Sequence, residues 1–267
     1  MRYRDFTWVP EDLISQNAFI EIAETNPDTH VFMHTDSIED NMSVEFRGKL
    51  TPPVFPPPQR TWITGMSDFS IHTGNSSRFD GLYDKWYGTS IDRASPKIQI
   101  IPLGVDTHTN TPNNRAEILY EQSQKPIELC DTLAYMNFNA YTYLQERAII
   151  DLQFKEESWV KAQVNMNIPY KEYCESVRNH KFTFCPRGNG IDTHRFWETI
   201  YLGSIPIVID YPIMSYFFDK LPIVKATNWF QITDEFLEAE YERIHETDYD
   251  FEIMKMGFWR NMILSNE

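Results

Sequence analysis

Basic residues are scarce in this chain of 267 residues: 24 Lys and Arg stand against 39 Asp and Glu, a formal net charge of −15. That balance argues against nucleic acid as a partner, because a phosphate backbone is held by positive surface. Cysteine is scarcer. Cys130, Cys174 and Cys185 are far apart and match no metal-ligand or redox spacing, which points to a reducing compartment and incidental thiols. The opening residues MRYRDFTWVPEDL hold no apolar run long enough for a signal peptide or a membrane anchor, so the expectation is a cytoplasmic protein without a membrane segment. Sequons occur at Asn41 and Asn75, no more than chance supplies. No Gly-Lys-Ser/Thr follows the glycine-rich stretch at 188–190, which excludes a P-loop, and the spacing of a dinucleotide fingerprint is absent too. No DxD-type motif stands in a strand-end loop, so neither a metal nor a cofactor is expected.

What is present begins with alternation. In the C-terminal half, TLAYMNF (132–138), SWVKAQVNM (158–166), KFTFC (181–185), IPIVID (205–210) and PIVKA (222–226) read as strands. Helical stretches at 141–154, 170–180 and 193–203 separate them, PIMSYFFDK reads as a helical turn, and acidic helices fill most of 233–264. Alternation of this kind predicts a parallel sheet covered on both faces. The N-terminal half is less regular. HVFMHTD (30–36), RTWITGMSD (60–68) and KIQIIPLG (97–104) read as strands ending in loops, TPPVFPPPQ (51–59) as a proline-rich loop, and DTHTNTPNNR (106–115) as a connection. The expected organisation is an N-terminal domain over 1–115 and a C-terminal domain over 116–267. Such a pair makes a cleft, where ligands bind beyond the carboxyl ends of the strands.

The chemistry concentrates in CPRGNGIDTHRFWETIYLGSIP (185–206). Pro186 stops a strand, and Gly188 and Gly190 let the backbone turn with positive φ or approach a ligand closely. Asp192 or Thr193 can cap the next helix, whose free N–H groups then suit a phosphate. Arg187 and Arg195 can hold a diphosphate, and Glu198, three residues past Arg195, can accept from ribose hydroxyls. The alternative is a bare Gly-Asn-Gly turn beside a surface pair of Arg195 and Glu198. Trp197 and Tyr201 are read as core, and His34 as an inner histidine.

The run KFTFCPRGNGIDTHRFWETIYLGSIPIVI resembles the signature of exostosin-like glycosyltransferases: strand, P-R-G loop, D-T-x-R-x-x-E helix and G-x-I-P strand. NFNAYTYLQER resembles that family's N-x-x-T-x-x-x-R element, through Asn139, Thr142 and Arg147 at a spacing one residue looser. The match covers about 130–226 well and the N-terminal half loosely. The resemblance implies an α/β fold of GT-B type, with two Rossmann-like domains facing a central cleft and the N-terminal one reduced. It implies an inverting, metal-independent transfer from a UDP-sugar, UDP-xylose being preferred, to a hydroxyl of a glycan or glycoprotein acceptor. The donor set is then Asn139, Arg147, Arg187, Gly188, Asn189, Gly190, Thr193, His194, Arg195 and Glu198. An inverting transfer also needs a base. Asp36, Asp68 and Asp106 each follow a strand; Asp68 is chosen, with Asp36 and His72 as acceptor contacts. Two other readings stand beside this one. A non-catalytic nucleotide- or glycan-binding module would tolerate loss of Asp68. A hydrolase would need paired carboxylates that the sequence does not show.

Overall fold

The computed structural model of the protein describes residues 1–36, 60–92, 95–107 and 114–265. The proline-rich stretch 51–59, the sequon at Asn41 and residues 108–113 of the connection lie outside them.

The N-terminal half holds β1 (His30–His34), β2 (Thr61–Gly65), β3 (Ile71–His72), β4 (Lys85–Gly88), β5 (Ile91–Asp92) and β6 (Ile98–Ile100). β1, β2, β4 and β6 form one sheet in that order with every pairing parallel, and β3 and β5 pair separately. Helix Gln16–Thr25, capped by the Ser15 hydroxyl, packs against β1 and β2. Aromatic rings fill the core here. Trp62 and Trp86 are fully buried with centroids 5.4 Å apart, and the Trp86 indole donates to Thr64 Oγ1 at 2.9 Å. The expected strands at 30–36, 60–68 and 97–104 are β1, β2 and β6.

One expectation fails in this half. His34 is exposed, and the inner histidine is His30, 2% exposed, whose Nδ1 meets Thr29 Oγ1 at 2.8 Å. β1 is the terminal strand of the described sheet and is buried at its first residue, not its last.

In the C-terminal half β7 (Ala134–Met136), β8 (Val160–Ala162), β9 (Phe182–Phe184), β10 (Ile205–Ile209) and β11 (Val224–Ala226) form a sheet of order β11-β10-β9-β7-β8, parallel throughout. Each strand read from the sequence is here. β7 and β9 are buried at every residue, as a strand covered on both faces must be. Pro206 is tolerated inside β10 because pairing with β11 starts only at Ile207. The signature helix, His194–Tyr201, buries every side chain from Phe196 to Tyr201, including Trp197 and Tyr201.

The strand order turns back on itself between β7 and β9, which makes the gap beyond their carboxyl ends a topological switch point. The protein is thus α/β and GT-B-like, two parallel Rossmann-type sheets set across a cleft. The chain termini cross between them. The Trp8 indole donates to the Tyr201 carbonyl at 3.0 Å, and the Tyr87 hydroxyl donates to the Met262 carbonyl at 3.2 Å on the terminal helix Met256–Leu264. Cys174 and Cys185 are buried and Cys130 is exposed, all as free thiols. Among the described residues no helix is long and apolar enough to cross a membrane.

Candidate active site

The carboxyl ends of both sheets meet at a cavity of ≈ 520 Å³. The N-terminal half supplies Asp36 after β1, Met66 to Asp68 after β2, and Leu103 to Thr107 after β6. The C-terminal half supplies Thr142 after β7 and the stretch from Gly188 to His194 after β9. Asp68 reaches across: its Oδ2 accepts from Asn189 Nδ2 at 3.3 Å. A methyl group on Gly190 would lie 3.3 Å from Asp68 Oδ1 and 3.5 Å from the Asp192 carbonyl. A side chain at 190 would thus press on Asp68 of the opposite half. Neither Gly188 nor Gly190 has positive φ, so neither is required by turn geometry, and a methyl group on Gly188 would meet nothing nearer than 3.4 Å.

Two more ties join the halves beside this contact. Asp192 Oδ2 accepts from the Leu103 backbone N–H at 2.8 Å while its Oδ1 accepts from the Trp197 indole at 2.7 Å. Burial pushes its carboxyl from 3.8 up to about 6, against the pull of those donors. His194 Nδ1 lies 2.7 Å from the Gly104 carbonyl. Thr193 is the N-cap of the signature helix but makes no side-chain cap bond. Asp36 accepts from the Ser67 hydroxyl and lines the same cavity.

A second cavity, ≈ 550 Å³, is lined by Arg115, Asn137, Tyr170, Tyr173, Arg195 and Glu198 among others. Arg195 Nε is buried without a hydrogen-bond partner among the described residues, and the guanidinium sits 5.7 Å from the Tyr173 ring. Arg115 lies over Tyr170 at 4.9 Å and pairs with Asp106 at 3.3 Å. Since Asp106 lines the first cavity, that pair stands in the wall between the two. Glu198 is 4% exposed and gives both oxygens to phenols, accepting from Tyr170 at 2.9 Å and Tyr173 at 3.0 Å. Both oxygens of the carboxylate expected to meet a ribose are thus engaged within the protein.

The other expected donor residues sit behind the loop. Arg147 is 6% exposed and donates to three carbonyls: Arg187 at 2.7 Å, Asn139 at 3.1 Å and Pro186 at 3.4 Å. Burial first, and then the charge of Arg195, bring its pKa down to about 10. Arg187 donates to the carbonyls of Gly188 and Asn189 and stacks over Tyr143 at 4.3 Å. Asn139 forms an Asx turn, its Oδ1 accepting from the Tyr141 N–H at 2.9 Å. These three shape the loop and line neither cavity. His72 accepts from the Gly74 N–H at 3.1 Å and lines neither cavity as well.

Sequence reasoning passed over Gln16. Its Nε2 donates to the carbonyls of Pro102 and Leu103 at 3.2 and 3.1 Å, and its Oε1 accepts from the Met66 N–H at 3.2 Å. One amide thus fixes the ends of β2 and β6 at the cavity. Tyr170, Tyr173 and Arg115 were also unmarked. Among the described residues no three His, Cys, Asp or Glu side chains cluster as metal ligands.

No family model matches the chain, and no curated protein matches it. A solved structure, "Crystal Structure of alpha1,3-Fucosyltransferase", is similar over 78% of this chain and 73% of that one, at 11% identity and a TM-score of 0.41. At that TM-score the likeness decides nothing about activity.

Proposed function

We propose that the protein is an inverting glycosyltransferase that moves a sugar from a UDP-sugar to a hydroxyl of a glycan, without a metal ion, UDP-xylose being the first donor to try. One juxtaposition carries this reading. At the switch point of the C-terminal sheet, the glycine loop and the start of the signature helix meet Asp68, an exposed acid from the opposite sheet. A transferase needs such a place, where an anionic leaving group and a hydroxyl nucleophile come together from two sides.

Arg195 suits the diphosphate. Its guanidinium makes no ion pair among the described residues, and it is close enough to Arg147 for the two charges to disfavour each other. An anion bound there relieves that repulsion and gives the buried Nε a partner. The free N–H groups at the start of the signature helix add to the same pull. Arg187, Arg147 and Asn139 hold the loop in shape behind the phosphates. Glu198 acts through Tyr170 and Tyr173, which it fixes as the wall of the nucleotide compartment. On the other side Asp68 and Asp36 accept hydrogen bonds from the acceptor's hydroxyls, Asp68 at the attacking one.

The test is a thermal-shift panel with UDP, GDP, CDP and ADP, each with and without EDTA. A ligand at ~100 times its dissociation constant adds ~2.7 kcal/mol, which raises the melting temperature of a chain this size by roughly 5–10 °C. A rise with UDP alone that EDTA leaves intact is the expected result. No rise with any nucleotide removes the diphosphate assignment and with it the transferase.

A further inference from the structure

We propose that His194 is the proton acceptor of the transfer, its Nε2 lone pair presented to the cavity because the Gly104 carbonyl claims the proton on Nδ1. The inference rests on the glycosyltransferase reading above and reassigns the proton that the sequence alone gave to Asp68.

The tautomer follows from one distance. A carbonyl oxygen only accepts, so at 2.7 Å the Nδ1 atom must carry hydrogen. The neutral ring then has its lone pair on Nε2. His194 lines the ≈ 520 Å³ cavity, and Nε2 makes no hydrogen bond among the described residues. In this state the ring has no N–H left for a phosphate, which is the task the sequence suggested for it.

The carbonyl that sets the tautomer is itself fixed. Gly104 has φ +70°, and a methyl group there would stand 2.3 Å from the Ile14 carbonyl oxygen. The next residue, Val105, donates its N–H to that same Ile14 oxygen at 2.8 Å. The backbone therefore cannot rotate the Gly104 carbonyl away without losing a buried hydrogen bond.

The neighbouring acids are less suited to keep a proton from the acceptor. Asp192 is held by two donors, Leu103 N–H and Trp197 Nε1. It also interacts electrostatically with His194. Asp106 is paired with Arg115, Asp36 takes the Ser67 hydroxyl, and Asp68 Oδ2 takes Asn189. Asp68 is left to orient the attacking hydroxyl.

The step balances. The acceptor O–H gives its proton to His194 Nε2 as its oxygen forms a bond to the anomeric carbon. The bond from that carbon to the diphosphate oxygen breaks, and its electron pair leaves with the diphosphate. The imidazolium keeps its Nδ1–H on Gly104.

Two substitutions separate proton transfer from the tie between halves. In His194→Asn the amide nitrogen can reach the Gly104 carbonyl as Nδ1 does, but nothing occupies the Nε2 position. His194→Gln does the reverse. UDP release is followed in the full chain with UDP-xylose, UDP-galactose, UDP-glucuronate and UDP-N-acetylglucosamine, water serving as acceptor, alongside the UDP thermal shift. The expected result is release slowed ~100-fold or more in His194→Asn, with melting temperature and UDP shift as in the wild type, and in His194→Gln a lower melting temperature as well. Release at the wild-type rate in His194→Asn overturns the inference and leaves the transferase reading standing. Loss of the UDP shift in His194→Asn makes His194 a phosphate ligand and also overturns it. If the wild type releases UDP from none of the four donors, the transferase reading itself falls.

Discussion

The two cavities differ in charge more than in size. The ≈ 520 Å³ cavity between the halves is lined by Asp36, Asp68, Asp106 and Asp192, with His194 the one ionisable nitrogen among its described side chains. The ≈ 550 Å³ cavity holds Arg115 and Arg195 against Glu198, whose oxygens are taken up by two tyrosines. An acidic compartment suits neutral hydroxyls, and a cationic one suits a diphosphate. Cations thus line one of the two cavities although the protein's net charge is −15.

Arginines near the glycine loop divide the same way, and that gives the largest expected effect. Arg147→Ala strands the carbonyls of Arg187, Asn139 and Pro186. At about 1–3 kcal/mol for each unsatisfied buried group, and with water reaching some of them, the loss should be ~3–5 kcal/mol in urea melts. A loss below ~1 kcal/mol would make Arg147 a ligand-facing cation after all.

The acidic compartment has its own signature in pH. Asp192 moves from 3.8 in the unfolded chain to about 6 in the fold, burial being the main cause, so the folded state binds its proton more tightly. The resulting stability is fully present below pH ~4 and is lost as pH rises through about 6. Relative to Asp192→Asn, the wild type should lose roughly 2–3 kcal/mol between pH 4 and pH 7. A difference that stays flat across that window would mean the two N–H donors outweigh burial.

Arg195→Ala should leave stability nearly intact, because the guanidinium has no hydrogen bond to lose. Its effect belongs to the ligand. A lost charge-assisted hydrogen bond is worth about 1.5–3 kcal/mol, so UDP should bind ~10–100-fold more weakly by calorimetry. Unchanged UDP binding would strip the cationic compartment of its assigned role.

Legibility in the sequence followed the same divide between halves. β7 to β11 are short apolar runs between helices, and a parallel sheet buried on both faces makes its strands read that way. The glycine loop was legible as a loop, and Asp68 as a strand-end acid of the cleft. What stayed hidden depended on three-dimensional partners. Arg147 and Arg187 read as phosphate cations, since nothing in the sequence says that backbone carbonyls will take their N–H groups. Gln16 is one amide in a helix, and it matters only because β2 and β6 end beside it. β4 escaped because KWYG offers two aromatic residues and no alternation, yet Trp86 is central to that half's core.

The smallest effect is the sharpest on the comparison. In Gly190→Ala the new methyl meets Asp68 Oδ1 at 3.3 Å, and Asp68 Cα and the Asp192 carbonyl at 3.5 Å. The first contact is with the end of a side chain that can rotate, and the others are ordinary van der Waals distances. Stability should therefore fall by less than ~1 kcal/mol. The three atoms nearest this methyl belong to Asp68 and Asp192, neither of which lines the ≈ 550 Å³ cavity, so the UDP thermal shift should be unchanged. Asp68, pushed aside and parted from Asn189, should orient the acceptor less well, lowering transfer by roughly tenfold, the worth of one hydrogen bond of ~1 kcal/mol or a little more. If UDP binding falls along with transfer, the two cavities act as one site, and the division of labour by charge fails.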